Sequence, residues 1–397
     1  MNKWTRRVPL SAVLVLGILA TATVATAGDE ADYKAIAQRL VKQCAAIQED
    51  DIVLIRGTAK DVELIEDIAI HVRKRGAFPL LSITTEDLER RMYDEVPAKY
   101  DTQTPELMLK LARMIDAAIT ITADENPALL ANVPPERIAA RSKALEPVYN
   151  AMQSRNVRRV NLGNGLYPTT ALASRFGISQ DELATIFWKG VNTDHRKIQA
   201  AADTIRTYLA AGNTVRITSD IGTDITMRIE RRPVHVSTGA ITQEDIRAGG
   251  AACQTWLPAG EVYLAPIPGT AEGTIVVDRH SFRGQQIRDL RMTFKKGRMT
   301  SITAKSGLEP LKELYDASGT GKDQFAAIDI GVNPNVRIPP NSRMVAWMAS
   351  GMISVGIGWN TWAGGENTCE FALYTHLPKG TLIVDGRTLI ESGILQP

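Results

Sequence analysis

The residues best suited to chemistry lie in Leu257-Pro258-Ala259-Gly260-Glu261-Val262, where one carboxylate sits on a short run bounded by proline and glycine. A carboxylate held that firmly reads as a metal ligand, because a divalent cation needs its donors fixed in place. Other candidates are thinner. Asp278-Arg279-His280-Ser281 puts an acid, a base and a hydroxyl in one run. A serine adjacent in sequence to its own base has poor geometry for a triad, however, and an exposed loop after a strand is the plainer expectation. His71 stands among Ile68, Ile70 and Val72 and reads as a packed or half-buried helix histidine. His195 follows Asp194 at a helix start, where a capping aspartate accounts for the pair. His235 falls in a strand-like run with nothing nearby to activate it.

The elements that must position these groups differ between the two halves of the chain. From Ala31 to about His195, helical and strand patterns alternate. The spacing predicts helices over Tyr33 to Ile47, Lys60 to Arg75, Glu106 to Met114 and Pro135 to Gln153, and strands over Asp51 to Arg56, Phe78 to Ile83, Ala117 to Thr122 and Arg158 to Leu162. Such alternation implies a mostly parallel sheet with helices on both faces. No G-x-G-x-x-G or G-x-x-x-x-G-K-[ST] follows any strand, and Gly57 alone cannot cradle a phosphate, so nucleotide binding is not expected. Asp181 to Trp188 and His195 to Ala210 lead out of this half as helices. Beyond Gly212-Asn213 the composition turns to strands: Thr214 to Thr218, Asp224 to Glu230, Gly260 to Ala265, Gly273 to Val277, Arg291 to Phe294, Arg298 to Ala304 and Thr381 to Val384. The fold class expected is an α/β N-terminal domain with a mostly parallel sheet, followed by a strand-rich, mainly antiparallel α+β C-terminal domain. The boundaries expected are 28–211 and 212–397.

Residues 1–27 read as a signal peptide: Lys3, Arg6 and Arg7 precede an apolar run from Val13 to Leu19, and Ala25-Thr26-Ala27 is a small-x-small cleavage site. The run is too short for the roughly 20 apolar residues of a spanning helix, so no membrane span is expected after cleavage. Thr5-Arg6-Arg7 with Leu10 also matches part of a twin-arginine signal, which leaves the export route open. Cleavage would remove three cations and no acid, taking the formal net charge from +2 to −1. That balance argues against nucleic acid as a partner, and the basic run from Arg283 to Arg298 reads as a solvated hairpin turning at Lys295-Lys296-Gly297. Cys44, Cys253 and Cys369 are far apart and lack metal-type spacing; one disulfide is compatible with them, a disulfide scaffold is not.

Gly222-Thr223-Asp224, Leu257 to Val262 running on to Ala265-Pro266, Gly331-Val332-Asn333-Pro334, Gly364-Gly365-Glu366-Asn367 and Val384-Asp385-Gly386 occur in one order along the chain. In that order they resemble the thermophilic aminopeptidases, the family of aminopeptidases T and S. The resemblance implies a two-metal exopeptidase, generally dimeric, that releases N-terminal residues from peptides, with two cations activating water and polarising the scissile carbonyl. It places Glu261 at the first metal-binding glutamate. The second glutamate falls on Ala327, a histidine on Ser354, and an H-x-D pair on Ala372 and Tyr374; the family's tyrosine has no counterpart around Thr361. A methyl group cannot coordinate a cation, and serine or neutral tyrosine is a poor ligand, so the inherited two-metal site is not expected to form.

Asp329 lies two residues after Ala327 and His376 two after Tyr374. If both segments are strands, each points to the face of the lost ligand, about 6 to 7 Å along. Glu261, Asp329 and His376 would then supply a rebuilt single-metal site for zinc or cobalt; otherwise Asp329 caps a turn and His376 is a surface residue. Trp347, Trp359 and Trp362, around the glycine-rich run 351–365, suit either a core or the wall of a peptide-binding cleft. The reading is therefore an exported, periplasmic or extracellular homologue of a metallo-aminopeptidase. It is either a degenerate enzyme that binds peptides with no metal, or an enzyme working through Glu261 with Asp329 and His376.

Overall fold

Apolar strands alternating with amphipathic helices fold as a parallel sheet because each helix returns the chain to the same end of the sheet. In the computed structural model, which describes residues 32–123, 125–126 and 128–396, strands β1 (Ile52–Thr58), β2 (Phe78–Thr84), β3 (Ala117–Ile121) and β4 (Arg158–Leu162) alternate with helices Val62–Lys74, Glu106–Ala112 and Pro135–Ser154. The sheet order is β2-β1-β3-β4, every pair parallel. One face of this sheet buries Val53, Ile55, Ile119, Val160 and Leu162 in the main core with Leu64, Ile65 and Ile68 of the first crossover helix. The signal peptide expected at 1–27 lies outside the described residues.

Three further strands precede the site loop or carry it. β5 (His235–Ser237) and β7 (Glu261–Leu264) join a different sheet, whereas β6 (Gln254–Leu257) pairs parallel with β4 and completes the first sheet as its fifth strand. The chain thus returns to the first sheet well after residue 212. The second half otherwise builds two antiparallel sheets. An eight-stranded one takes in Thr214–Thr218, Asp224–Arg228, the long hairpin Glu272–Phe282 with Gln285–Lys295, and Arg298–Thr303, continued by the C-terminal strands from Thr381 onward. The other has the order β10-β9-β8-β7-β5, with β8 (Phe325–Gly331), β9 (Ile353–Gly358) and β10 (Ala372–Leu377).

Lys295-Lys296-Gly297 is the expected hairpin turn, with Lys296 at φ +51° and Gly297 at φ +72°. The loop expected at Asp278-Arg279-His280-Ser281 is instead the far half of a strand, because pairing with the next strand continues to Phe282↔Gln285. Helices Glu86–Asp94, Thr170–Phe176, Gln243–Ala248 and Glu309–Ala317 were not anticipated. The third had a local signal, a capping box in which Thr242 and Asp245 satisfy each other's backbone N–H. His195 opens a helix capped by Asp194 as expected. No helix among the described residues is long and apolar enough to cross a membrane. Cys44, Cys253 and Cys369 are all buried and unpaired.

A candidate ligand cavity between two sheets

Register places the candidate groups on one face of the β10-β9-β8-β7-β5 sheet. Glu261 on β7 stands opposite Gly331 of β8 and Ser237 of β5. One row further on, Tyr263, Asp329, Ser354 and His376 lie side by side across β7, β8, β9 and β10. Directly opposed residues project from the same face, so Glu261, Asp329, Ser354 and His376 all reach a cavity of about 710 Å³. Its opposite wall is the face of the first sheet that the core leaves free, with Leu54, Ala118 and Arg159 in one row and Arg56, Thr120, Asn161 and Trp256 in the next. Asp329 is a mid-strand residue only 6% exposed, not a turn cap, and His376 is not a surface residue, because its accessible side opens into the cavity. Trp347, Trp359 and Trp362 all line this cavity.

Two loops set the position of Glu261. In the first, Gly163-Asn164-Gly165 follows β4 with φ of +142°, +43° and +69°. Asn164 Nδ2 donates to Pro258 O (2.9 Å) and Glu261 Oε1 (3.2 Å), while its Oδ1 accepts from Trp347 Nε1 (2.8 Å). Gly165 is required for this arrangement, since a Cβ there would lie 2.1 Å from the Trp347 ring. The second loop is Gly331-Val332-Asn333-Pro334. Asn333 is fully buried; its Nδ2 donates to Ala259 O (2.6 Å) and Gly190 O (3.2 Å), and its Oδ1 accepts from Thr193 Oγ1 (3.1 Å) and Asn335 N (2.9 Å). Gly260, at φ +125°, lies so close that a Cβ would stand 2.7 Å from Asn333 Cβ. This motif is therefore a strut under the Glu261 turn. Asn333→Ala removes four hydrogen bonds at once, three of them buried, and is expected to destabilise the protein by about 2–4 kcal/mol. Urea unfolding measures the effect, and a loss below about 0.5 kcal/mol contradicts the strut.

The electrostatics follow from burial. Glu261 is pushed well above the usual carboxylate range, first by burial and then by the neighbouring charge of Asp329, against the hydrogen bond from Asn164. Burial raises Asp329 to about 8. Glu261 Oε2 and Asp329 Oδ1 are closed off from water without a partner. Burial thus favours the protonated form of both carboxyls, and the charge of Asp329 pushes Glu261 further the same way. His376 is pushed the other way, to about 3, by burial and by nearby His280. It is a neutral imidazole at pH 7, with Nδ1 2.9 Å from Ser354 Oγ and its ring stacked on Trp347 at 5.4 Å.

Aromatic rings fill the volume beside these groups. Tyr263, Ala265, Ala326, Ala327 and Ala363 form a small buried cluster against Trp256, Trp362 and Tyr374. Trp362 lies 5.1 Å from Tyr263, 5.5 Å from Tyr374 and 5.7 Å from Trp256. Its Nε1 donates to Tyr374 OH (2.8 Å), which donates to Trp359 O (2.9 Å). Ala327 and Tyr374, two positions where the resemblance expects ligands, are thus part of a packed aromatic cluster. Among the described residues no group of three or more His, Cys, Asp or Glu side chains is placed to hold a metal ion. The two orphaned carboxylate oxygens suit a cation, but His376 is engaged with Ser354 and Trp347. As they stand, these residues do not fit a two-metal centre.

The remaining histidines are dispersed. His71 is half-buried on its helix, and His195 borders a separate small cavity with Arg39 and Arg196. His235 stacks on Tyr263 at 5.5 Å with Nε2 buried and unpartnered. Asn164, Arg159 and Trp256 were missed in the sequence. Only Asn164 carried a local signal, the Gly-Asn-Gly turn at the end of a strand.

Residues 29–322 match the model of the thermophilic metalloprotease family M29, and the chain belongs to that family. The match covers Glu261 and ends before β8, β9 and β10, which carry Asp329, Ser354 and His376. Aminopeptidase AmpS of Bacillus subtilis (strain 168) is 24% identical over 311 residues, covering 70% of this chain and 72% of the relative. Aminopeptidase PepS of Streptococcus thermophilus is 24% identical over 250 residues, covering 57% of this chain and 56% of the relative. Among solved structures, wild-type AmpT from Thermus thermophilus superposes with a TM-score of 0.68 at 16% identity, over 92% of this chain and 99% of that one. The 2,5-dihydroxypyridine dioxygenase from Pseudomonas putida KT2440 has a TM-score of 0.59 at 12% identity, over 92% and 96%. The same fold carries a name from a different reaction class, so the reaction must be argued from the site itself.

Proposed function

We infer that this chain is an exported, periplasmic or extracellular member of the M29 aminopeptidase family that has kept the cleft and binds peptides without hydrolysing them, as a homodimer. The observation that carries this reading is the aromatic cluster. Ala327 and Tyr374 face Trp362 and Tyr263 where a two-metal peptidase needs oxygen and nitrogen donors. The remaining carboxyls, Glu261 and Asp329, are closed in, and burial shifts both toward the protonated form, which suits polar contact with a bound peptide.

A second reading is favoured by the orphaned oxygens Glu261 Oε2 and Asp329 Oδ1. In it a single zinc or cobalt ion is gripped by Glu261, Asp329 and His376, and the family's aminopeptidase activity persists. Metal analysis of the purified protein together with a leucine p-nitroanilide assay separates the two. The first reading expects no stoichiometric zinc or cobalt and no turnover. About one or two tightly held ions per chain, with chelator-sensitive release of p-nitroaniline abolished by Glu261→Ala, overturns it in favour of the second.

A further inference from the structure

Arg158 and Arg159 are successive residues of β4 and point to opposite faces of the first sheet. Arg158 is a fully employed structural arginine: it pairs with Asp51 at 2.7 Å and donates to Ala46 O at 2.7 Å. Arg159 points into the cavity, and its Nε and Nη2 are closed off from water with no hydrogen-bond partner. The titratable groups around it are Tyr263, Cys253 and Tyr149, none of them a carboxyl, and no carboxylate pairs with it among the described residues. A guanidinium does not shed its proton in a protein, and a buried cation left without a counter-charge is strongly unfavourable. An anion that reaches this wall of the cavity would pair with it.

The rest of the cavity limits what that anion belongs to. The same cavity also carries Glu261 and Asp329 and the aromatic rings of Trp256, Trp359 and Tyr149, and its volume of about 710 Å³ falls in the range of small-ligand sites. We propose that Arg159 receives the free carboxylate of a short peptide or amino acid whose apolar body lies along these rings and whose amino end faces Glu261 and Asp329. The inference rests on the peptide-binding reading and narrows it: the ligand ends within the cavity, and its terminal carboxylate is recognised there.

The test uses the full-length protein as purified and three probes, Leu-Leu, its C-terminal amide Leu-Leu-NH2 and N-acetyl-Leu-Leu, titrated by tryptophan fluorescence or calorimetry. Leu-Leu is expected to bind at least tenfold more tightly than the amide. Arg159→Met is expected to remove that preference, weakening Leu-Leu at least tenfold while leaving the amide unchanged, and to melt no lower than the parent, since it deletes an unpaired buried charge. N-Acetylation is expected to weaken binding in both proteins alike. Equal binding of Leu-Leu and the amide by the unaltered protein overturns the carboxylate receptor but leaves peptide binding standing, and that comparison needs no variant to fold. Binding of none of the three overturns both. A clear drop in melting temperature in Arg159→Met with the amide preference intact assigns Arg159 to structure.

Discussion

Asp329→Asn is expected to stabilise this protein at pH 8 by about 2–5 kcal/mol and to flatten the dependence of its stability on pH between about 4 and 8. The sign follows from the direction of the shift. Asp329 lies 6% exposed in the centre of β8, and burial raises its carboxyl to about 8. In the unfolded chain the same group titrates near 3.9. Between those values the native state holds a proton that the unfolded state has released, so stability is fully present below about pH 4 and is lost as pH rises through 8. Asparagine reproduces the neutral form and cannot ionise. Glu261, relieved of its neighbour's charge, then ionises more readily, which leaves a smaller residual slope. Urea unfolding at pH 5, 6.5 and 8 measures all of this. A variant less stable than the parent by the same amount at every pH shows that Asp329 is ionised and gripped by a cation, as the metal reading requires.

Tyr263→Ala is expected to cost about 3–5 kcal/mol, the range for deleting a large buried aromatic side chain. Tyr263 is 1% exposed and stands at the centre of the cluster, with Trp362 at 5.1 Å, Trp256 at 5.5 Å and His235 stacked at 5.5 Å. Tyr263→Phe keeps those contacts and loses the hydroxyl with its hydrogen bond to Ala251 O at 3.3 Å and its interaction with Gln254, so it is expected to cost about 1 kcal/mol. Denaturant unfolding gives both values. A red shift of the tryptophan emission in Tyr263→Ala alone would report water reaching the indoles. If the alanine variant loses less than about 1 kcal/mol, the rings are a loose lining, and the case for a filled metal volume goes with them.

These effects bear on what was legible before the fold was known. The strands Arg158–Leu162 and Thr214–Thr218 match their expected bounds, because each alternates between one buried and one open face and is bounded by turn residues. Phe325–Gly331 gave no such signal: every residue of it is buried, so period two vanishes and Asp329 could equally have capped a turn. Glu261 was legible through its own proline and glycine. Arg159 and Trp256 were not, because their importance comes from two sheets meeting across a cavity, and that meeting depends on Gln254–Leu257 joining the first sheet from far along the chain. The misjudged loop at Asp278–Ser281 has a related cause. Its strand extends because the partner strand continues opposite it, and no local residue encodes that.

The three buried thiols have their own implication. Burial raises Cys44 and Cys369 to about 11 and Cys253 above its ordinary value, and disulfide exchange proceeds through the thiolate. At pH 7 only about one in ten thousand of the first two is ionised, and none lies open to an oxidant. In the folded molecule these three thiols are shielded from disulfide exchange. Its window of vulnerability to wrong sulfur–sulfur bonds closes when the core does.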